Sequence, residues 1–273
     1  MDNRIIVRAV LLLLAAAGTC WAGCCTESTE PPCRERVNPD TVEKILEQLR
    51  QTTEKLQSYQ AHVEYLVKQP FPFESETLKK GVLYYATFGK ESRLRINFQT
   101  LKQDDEKPQK YVEQYIFDGV WLTKIDHQIK TVERHPLVDP NELKDTNEPK
   151  DVFELVSRNF PIVGFSKAEN LKKEFQIKLV EEKESESTQF IRLHLKVKPD
   201  SAYKDSYTSI DFWIDKESYL PAKIVAVSTE EDTYETKLLE PKTNKKIDKK
   251  VFDFKVPRGF SIEEYPPKKK SKD

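Results

Sequence analysis

The order of apolar and polar residues along the chain predicts a protein built mostly from β-strands. From residue 59 onward, Tyr59, Ala61 and Val63 alternate with the polar Gln60 and His62. This period of two is typical of a strand with one buried and one solvated face. The same alternation, bounded by turn residues, predicts further strands at 79–88, 93–99, 111–117, 120–125, 129–134, 175–179, 191–197, 210–214, 222–228, 233–239 and 251–255.

One hairpin in this series has a specific turn signal. Asp118-Gly119 separates two stretches rich in aromatic and branched residues, 115–117 and 120–126. An Asp-Gly pair tolerates the positive φ angles that a tight turn requires. We therefore expect an antiparallel hairpin with its turn at Asp118-Gly119.

Two segments have helical rather than strand character. Asn38 or Asp40 can cap a helix whose first turn holds Pro39. Its apolar stripe consists of Val42, Ile45, Leu46, Leu49 and Leu56. In the middle of the chain, a proline-rich loop at 135–149 precedes a short predicted helix at 151–160. We expect this helix to act as a lid over the sheet, through Val152, Phe153, Leu155, Val156 and Phe160.

About ten mostly short-linked strands and few helices favour a mainly β (α+β) fold, in which one large antiparallel sheet curls around a core. A wide apolar inner face can leave a cavity that the covering helices do not fill. The regular alternation of two strands predicts the side chains that face this cavity. They are Leu94, Ile96, Phe98, Ile210, Phe212 and Ile214.

The first 23 residues are typical of an export signal. Arg4 and Arg8 precede a short apolar core and a run of small residues that ends at Gly23. The following residue, Cys24, completes a sequence that resembles a bacterial lipobox, although Trp21 departs from the usual first position. Ordinary cleavage after Ala22 is the alternative.

The cysteines bear on both alternatives, because all four lie within the first 33 residues. Lipidation of Cys24 would leave Cys25 and Cys33 as a candidate disulfide pair in an oxidising compartment. Cleavage after Ala22 would leave an odd number. We expect residues 24–37 to form a tether and residues 266–273 a disordered basic tail.

Composition and motifs exclude several classes of function. The 45 basic and 46 acidic side chains give a net charge of -1, which offers no electrostatic case for nucleic acid. The four histidines are scattered, and the chain has no zinc, EF-hand, P-loop, Rossmann or nucleophile-elbow motif, so we expect neither a metal nor a cofactor. Acidic runs at 104–106 and 230–232 fall in turn-like stretches, which favours solvated loops over paired acid–base catalysis. The sequence therefore predicts a protein that is not an enzyme.

Four blocks of residues carry a resemblance to a known family. They are the helix-then-strand start through Gln69, Phe117-Asp118-Gly119 with Trp121-Leu122 and Asp126, Leu195-Lys196-Val197-Lys198-Pro199, and the run from Phe252 to Ile262. The last block, a strand followed by Pro-x-Gly and an apolar residue, is the most specific. In order and spacing the four resemble the LolA and LolB superfamily of bacterial lipoprotein carriers, from Thr41 almost to Tyr265.

The resemblance implies an incomplete antiparallel β-barrel at 38–265, with helices covering a hydrophobic cavity. It implies binding of lipoprotein acyl chains or another lipid, for transport or sorting to the outer membrane, and an inner-membrane lipoprotein-export transporter as a partner. In these carriers an arginine early in the sheet latches the lid. Lys90, Arg93 and Arg95 lie near the corresponding place and are the candidate latch residues, Lys90 being closest by spacing.

A lipidated Cys24 would attach the protein to a membrane, which favours a receptor-like role in the periplasm or cell envelope over a soluble shuttle. Two alternatives stay open. One is a sensor of the same fold that binds a lipid and signals to a protein partner. The other is a structural envelope domain whose core is completely filled.

Overall fold

The helices and strands of the described residues largely follow the predicted pattern. The computed structural model describes residues 39–72, 74–89, 91–137, 168–180 and 189–266. The helices in these ranges are α1 (Pro39–Glu54) and α2 (Ala168–Glu174). The strands are β1 (Ser58–Gln69), β2 (Ser75–Phe88), β3 (Glu91–Gln103), β4 (Gln109–Phe117), β5 (Trp121–Asp126), β6 (Thr131–Pro136), β7 (Phe175–Val180), β8 (Phe190–Val197), β9 (Tyr207–Asp215), β10 (Pro221–Ser228), β11 (Thr233–Thr243) and β12 (Ser261–Glu264).

All of these strands belong to one sheet. Their order is β12-β6-β5-β4-β3-β2-β1-β11-β10-β9-β8-β7. Neighbouring strands are antiparallel, except that β12 runs parallel to β6. Over the residues that the structure describes, the sheet is open, with β12 at one edge and β7 at the other. This arrangement confirms the predicted mainly β fold and the incomplete barrel.

The predicted hairpin at Asp118-Gly119 is confirmed. Phe117 of β4 pairs with Leu122 of β5. The Asp118 carboxylate accepts hydrogen bonds from the backbone N–H groups of Val120 and Trp121, at 3.0 and 2.8 Å. Gly119 has a φ of 109°, a conformation that side-chain-bearing residues rarely adopt. The turn therefore depends on both residues of the Asp-Gly pair.

Cross-strand pairing shows that the predicted cavity residues share one face of the sheet. Paired residues of an antiparallel ladder lie on the same face, and faces alternate along each strand. The line of pairs is Phe98, Gly81, Val63 and Leu238 on β3, β2, β1 and β11, followed by Thr236, Ile224 and Phe212 on β11, β10 and β9. We call the face that carries Phe98 and Phe212 the inner face, and the opposite one the outer face.

Helix α1 packs on the inner face through four residues of its predicted apolar stripe, Val42, Ile45, Leu46 and Leu49. The fifth, Leu56, lies after the helix ends at Glu54 and belongs to a different core cluster. Leu46 and Leu49 are each 1% exposed and share a core cluster with Phe212 and its neighbours. Leu171 of α2 belongs to the same cluster; the sequence pattern did not predict α2. Among the described helices, none has the length and apolar character needed to cross a lipid bilayer.

At β4–β6, both faces of the sheet carry apolar clusters. Here the outer face also carries a core cluster, formed by Ile116, Ile125 and Val132. Phe254 and Phe260, from the segment after β11, pack against this cluster. The C-terminal segment therefore covers the outer face at one end of the sheet, while α1 covers the inner face nearer the other end.

The predicted strand at 251–255 is wrong. Lys249–Phe252 forms a 3₁₀ turn, capped by the Asp248 carboxylate, which accepts from the Lys250 N–H at 2.9 Å. The Arg95 guanidinium donates to the carbonyl oxygens of Val251 and Asp253, which a strand would have used in its ladder. The final strand, β12, lies further along the chain and was not predicted.

Candidate functional site

The six predicted cavity residues occupy two separate parts of the inner face. Leu94, Ile96 and Phe98 lie on β3, in a cluster with Leu56, Tyr59, Ala61, Val63, Leu83, Tyr85, Phe117, Leu122, Leu220 and Leu238. We call it the central cluster. Ile210, Phe212 and Ile214 lie on β9, in a cluster with residues of α1, α2, β7, β8 and β10, which we call the helix-covered cluster. All six are buried, with Phe98 1% exposed and the others fully enclosed.

The strand order explains this separation. Between β3 and β9 lie β2, β1, β11 and β10. Strands in a sheet are about 4.8 Å apart, so the two sets of side chains are roughly 24 Å from each other along the sheet. They share a face without sharing a contact cluster.

A row of aromatic side chains connects the two clusters. Tyr115 packs edge-on against Phe98, with ring centroids 6.3 Å apart, and Phe98 lies 6.1 Å from Tyr65. Tyr65 stacks on Tyr234 at 6.4 Å, and Tyr234 meets Tyr207 edge-on at 6.3 Å. These five rings, from β4, β3, β1, β11 and β9, are the aromatic row. It makes the inner face a continuous apolar surface.

Burial keeps the phenols of this row neutral. Burial raises the pKa of Tyr65 and, together with the nearby Glu113 carboxylate, that of Tyr115. Burial also raises the pKa of Tyr207, to about 12. A neutral phenol offers a hydroxyl for hydrogen bonding and an apolar ring for packing. These phenols therefore ionise at higher pH than an exposed tyrosine does.

A buried ion pair lies beside the aromatic row. Lys79 Nζ donates to Glu113 Oε1 at 2.7 Å, and Tyr111 Oη donates to the other carboxylate oxygen at 2.8 Å. The Glu113 side chain is 3% exposed and that of Lys79 is 17% exposed. The ammonium group of Lys79 also lies over the rings of Phe98 and Tyr111, at 5.8 and 5.1 Å from their centroids. Lys79 and Glu113 are thus a charged pair with aromatic rings beside it.

The two candidate latch residues that the structure describes lie on the outer face, because they alternate with Leu94 and Ile96 along β3. Arg93 contacts Glu91 at 3.2 Å. Arg95 donates to Asn97 and to two carbonyl oxygens of the C-terminal segment. Both guanidinium groups therefore point away from the face that carries the predicted cavity residues.

Several predicted features fall on residues outside the described ranges. They are the signal segment, the lipidation site Cys24, the candidate latch Lys90, the basic tail beyond 266, and the lid residues Val152, Phe153, Leu155, Val156 and Phe160. The lid, the latch and the lipidation site stay predictions.

Sequence reasoning missed Lys79 and Glu113, although a signal was present. Glu113 alternates in phase with Tyr111 and Tyr115, and Lys79 with Leu83 and Tyr85. A charged residue at an inward position of a predicted strand is uncommon unless it is paired. The alternation along each strand was enough to mark both residues as unusual inward-facing charges. It could not show that the two residues pair with each other.

Apolar and aromatic groups form most of the inner face, and beside the aromatic row Lys79 and Tyr111 both donate to the Glu113 carboxylate. Within the described ranges, no group of three or more His, Cys, Asp or Glu side chains is placed to hold a metal ion. Beside the aromatic row, the face therefore presents aromatic rings, phenol hydroxyls and the partly exposed ammonium group of Lys79.

Comparison with solved structures finds similar folds at low sequence identity. An uncharacterized conserved protein from Thermus thermophilus aligns over 82% of this chain and 99% of its own, with a TM-score of 0.47 and 10% identity. A LolA superfamily protein from Nitrosomonas europaea aligns over 78% of this chain and 97% of its own, with a TM-score of 0.35 and 12% identity. A chain in the MucA/MucB complex of Pseudomonas aeruginosa aligns over 79% of this chain and 61% of its own, with a TM-score of 0.39 and 11% identity.

No protein-family model and no curated protein sequence matches the chain. Among solved structures, the matches include a LolA superfamily protein.

Proposed function

We propose that this protein binds the acyl chains of a lipid or lipoprotein on its inner face and holds them for transport or sorting within the cell envelope. The observation that carries the proposal is the continuous apolar inner face of an open sheet, formed by the two core clusters and the aromatic row. Each methylene group transferred from water to such a surface contributes about 0.8 kcal/mol. A carrier with this face can therefore hold long acyl chains out of water without chemical change to them.

The two clusters have different roles in this proposal. In the helix-covered cluster, Leu46 and Leu49 of α1 already pack with Phe212, so this half serves as the stable base of the domain. The central cluster contains no α1 residue. We assign the acyl-chain site to this half, around Leu94, Ile96 and Phe98. The predicted lid at 151–160 would cover the chains.

The location follows from the predicted export signal and from Cys24. A lipidated Cys24 would hold the domain at a membrane through the tether at 24–37, where it could receive or deliver cargo. An inner-membrane lipoprotein-export transporter is the proposed donor. A single acyl chain gives only marginal membrane binding, whereas two or three anchor stably, so moving a multi-acyl cargo requires a protein surface of this kind.

Lipid binding can be tested with the protein as purified. Native mass spectrometry after mild extraction should detect retained acylated molecules, and the delipidated protein should take up a fluorescent fatty acid with a blue-shifted emission. Phe98→Ala removes a ring from the proposed site and should weaken uptake at least about fivefold, or roughly 1 kcal/mol.

Phe212→Ala is the matched control. It removes the same ring from an equally buried position in the helix-covered cluster. Both variants should lower the melting temperature, but Phe212→Ala should leave the affinity for the fluorescent fatty acid unchanged. A protein that retains no lipid and takes up no probe would refute the proposed function.

A further inference from the structure

We propose that Lys79 and Glu113 form a head-group site, which binds the uncharged acyl carbonyl of an ester- or amide-linked lipid and disfavours a free fatty-acid carboxylate. This inference rests on the proposed function and specifies its ligand. It starts from the position of the pair on the inner face, where Glu113 is directly paired with Phe98 across β3 and β4. A head group at Lys79 would therefore place its acyl chain next to the central cluster.

Glu113 holds the site together and does not contact the ligand in this proposal. One carboxylate oxygen accepts from Lys79 and the other from Tyr111. With the side chain 3% exposed, little of the carboxylate remains for another partner. Its role is to fix the ammonium group of Lys79 in place.

Lys79 is the member of the pair that a ligand can reach. Its side chain keeps 17% exposure, and its ammonium group has three N–H donors. Among the described residues, Glu113 is the one hydrogen-bond acceptor recorded for these donors. The rings of Phe98 and Tyr111 flank the nitrogen. An acyl carbonyl oxygen can accept one of the remaining N–H groups while its alkyl chain contacts the flanking rings.

The charged side chains around Lys79 disfavour an anionic head group. Asp126 of β5 is paired directly with Glu113 and is 9% exposed. Its carboxylate accepts from the backbone N–H groups of Gln128 and Ile129, at 2.8 and 3.3 Å.

The other ionisable side chains on this part of the inner face are Lys124, Glu133 and His135. Glu133 pairs with Lys124 at 3.4 Å and lies 3.8 Å from the ring of His135, which adds a charge only when it is protonated. Two cations, Lys79 and Lys124, thus face three anions, Glu113, Asp126 and Glu133. A ligand carboxylate or phosphate placed at Lys79 would meet a net negative surrounding, and like charges repel strongly where water is excluded. An uncharged carbonyl meets no such penalty.

A purely structural role explains the pair less well. A buried ion pair is weak evidence for stability, because desolvation of both charges offsets their attraction. Lys80, next to Lys79 in the chain, forms a second lysine–glutamate pair with Glu64 at 2.6 Å. This pair lies on the outer face, and both of its side chains are more exposed than those of Lys79 and Glu113. That outer pair provides the matched control for the experiment.

The test is competitive displacement of a bound fluorescent monoacylglycerol at mildly alkaline pH, where palmitate is ionised. The competitors are monopalmitoylglycerol, a peptide carrying an amide-linked palmitoyl group, and palmitate. The first two present the same carbonyl chemistry from an ester and an amide source. We expect both to displace the probe from the unmodified protein at a concentration about tenfold lower than palmitate does.

Glu113→Gln removes the negative charge that opposes an anion at Lys79, so palmitate should gain affinity and the tenfold preference should disappear. Glu64→Gln, on the outer face, should leave the preference unchanged. The double variant Lys79→Met with Glu113→Gln removes both charges, and should bind the carbonyl ligands more weakly than the unmodified protein does. It also serves as the test if Glu113→Gln alone does not fold.

The outcomes separate the two proposals. If the unmodified protein binds no acyl ligand, both the proposed function and the head-group site are refuted. If it binds acyl ligands but shows no preference, or the preference persists in Glu113→Gln and in the double variant, the head-group site is refuted and lipid binding stands.

Discussion

The guanidinium group of Arg95 donates a hydrogen bond to the carbonyl oxygen of Val251 at 2.7 Å, although the two residues are 156 positions apart. A second bond from the same nitrogen reaches the carbonyl of Asp253 at 3.0 Å. Arg95 thereby ties the C-terminal segment to the outer face of β3. The same segment carries Phe254 and Phe260, which cover the outer cluster at Ile116, Ile125 and Val132.

Arg95→Ala should release this segment. Hydrogen bonds that involve a charged group are worth about 1.5–3 kcal/mol, so we expect the free energy of unfolding to fall by about 2 kcal/mol. Urea denaturation measures the loss, and amide hydrogen exchange should quicken at 249–264. Arg93→Ala, which affects the neighbouring outward-facing guanidinium, should leave exchange in that segment unchanged; equal acceleration in both variants would contradict the assignment.

Lys79 and Glu113 should be strongly coupled in stability. Glu113→Gln leaves a mostly buried ammonium group without its counter-ion, which should lower the free energy of unfolding by about 3 kcal/mol. The double variant with Lys79→Met should be more stable than Glu113→Gln alone. A double-mutant cycle by urea denaturation measures the coupling. Glu64→Gln should cost less than about 1 kcal/mol, because its partner Lys80 is solvated.

Gly81→Ala should be destabilising, although glycine usually weakens a strand. A Cβ atom at this position would lie 1.9 Å from the carbonyl oxygen of Asn97, at the irregular pairing between β2 and β3. Since backbone atoms surround the site, the strands must separate, and we expect a loss of about 1–3 kcal/mol. Thermal unfolding provides the measurement. Lys80→Ala, at the adjacent exposed position, should change the melting temperature little, and an unchanged melting temperature in Gly81→Ala would show that the strands adapt.

The protein should lose stability at strongly alkaline pH through Tyr207. Burial raises the pKa of its phenol from 10.0 to about 12, so the folded state favours the neutral form. The resulting stabilisation is fully present below pH 10 and is lost as the pH rises through 12, by about 2–3 kcal/mol at most. Urea denaturation at a series of pH values measures this slope. Tyr207→Phe should make the slope shallower, and an unchanged slope in this variant would contradict the assignment.

The alternation of apolar and polar residues was sufficient to predict most of the fold. Eleven of the twelve strands in the described residues coincide with predicted ones, because a strand of an open sheet shows its two environments directly in its sequence. The strand that was not predicted is β12. Conversely, alternation at 251–255 predicted a strand that does not form. Arg95 occupies two carbonyl oxygens there, and a side chain that arrives from a distant strand leaves no local signal.

The candidate site was predicted only in part. The burial of Phe98 and Phe212 follows from the alternation of apolar and polar residues within each strand. The division into two clusters does not, because it depends on where β1 and β11 pair and on the packing of α1 against β9 rather than β3. The aromatic row likewise draws one ring from each of five strands that are scattered along the chain.

The sequence by itself determined most of the strands and the phase of the apolar residues within each one, since both depend on neighbours in the chain. Only the tertiary structure decided which strands lie side by side. That pairing brings Lys79 to within 2.7 Å of Glu113, 34 residues away, and joins β1 to β11 across most of the chain. Such contacts depend on hydrogen bonding and burial over the whole sheet, which no local pattern encodes.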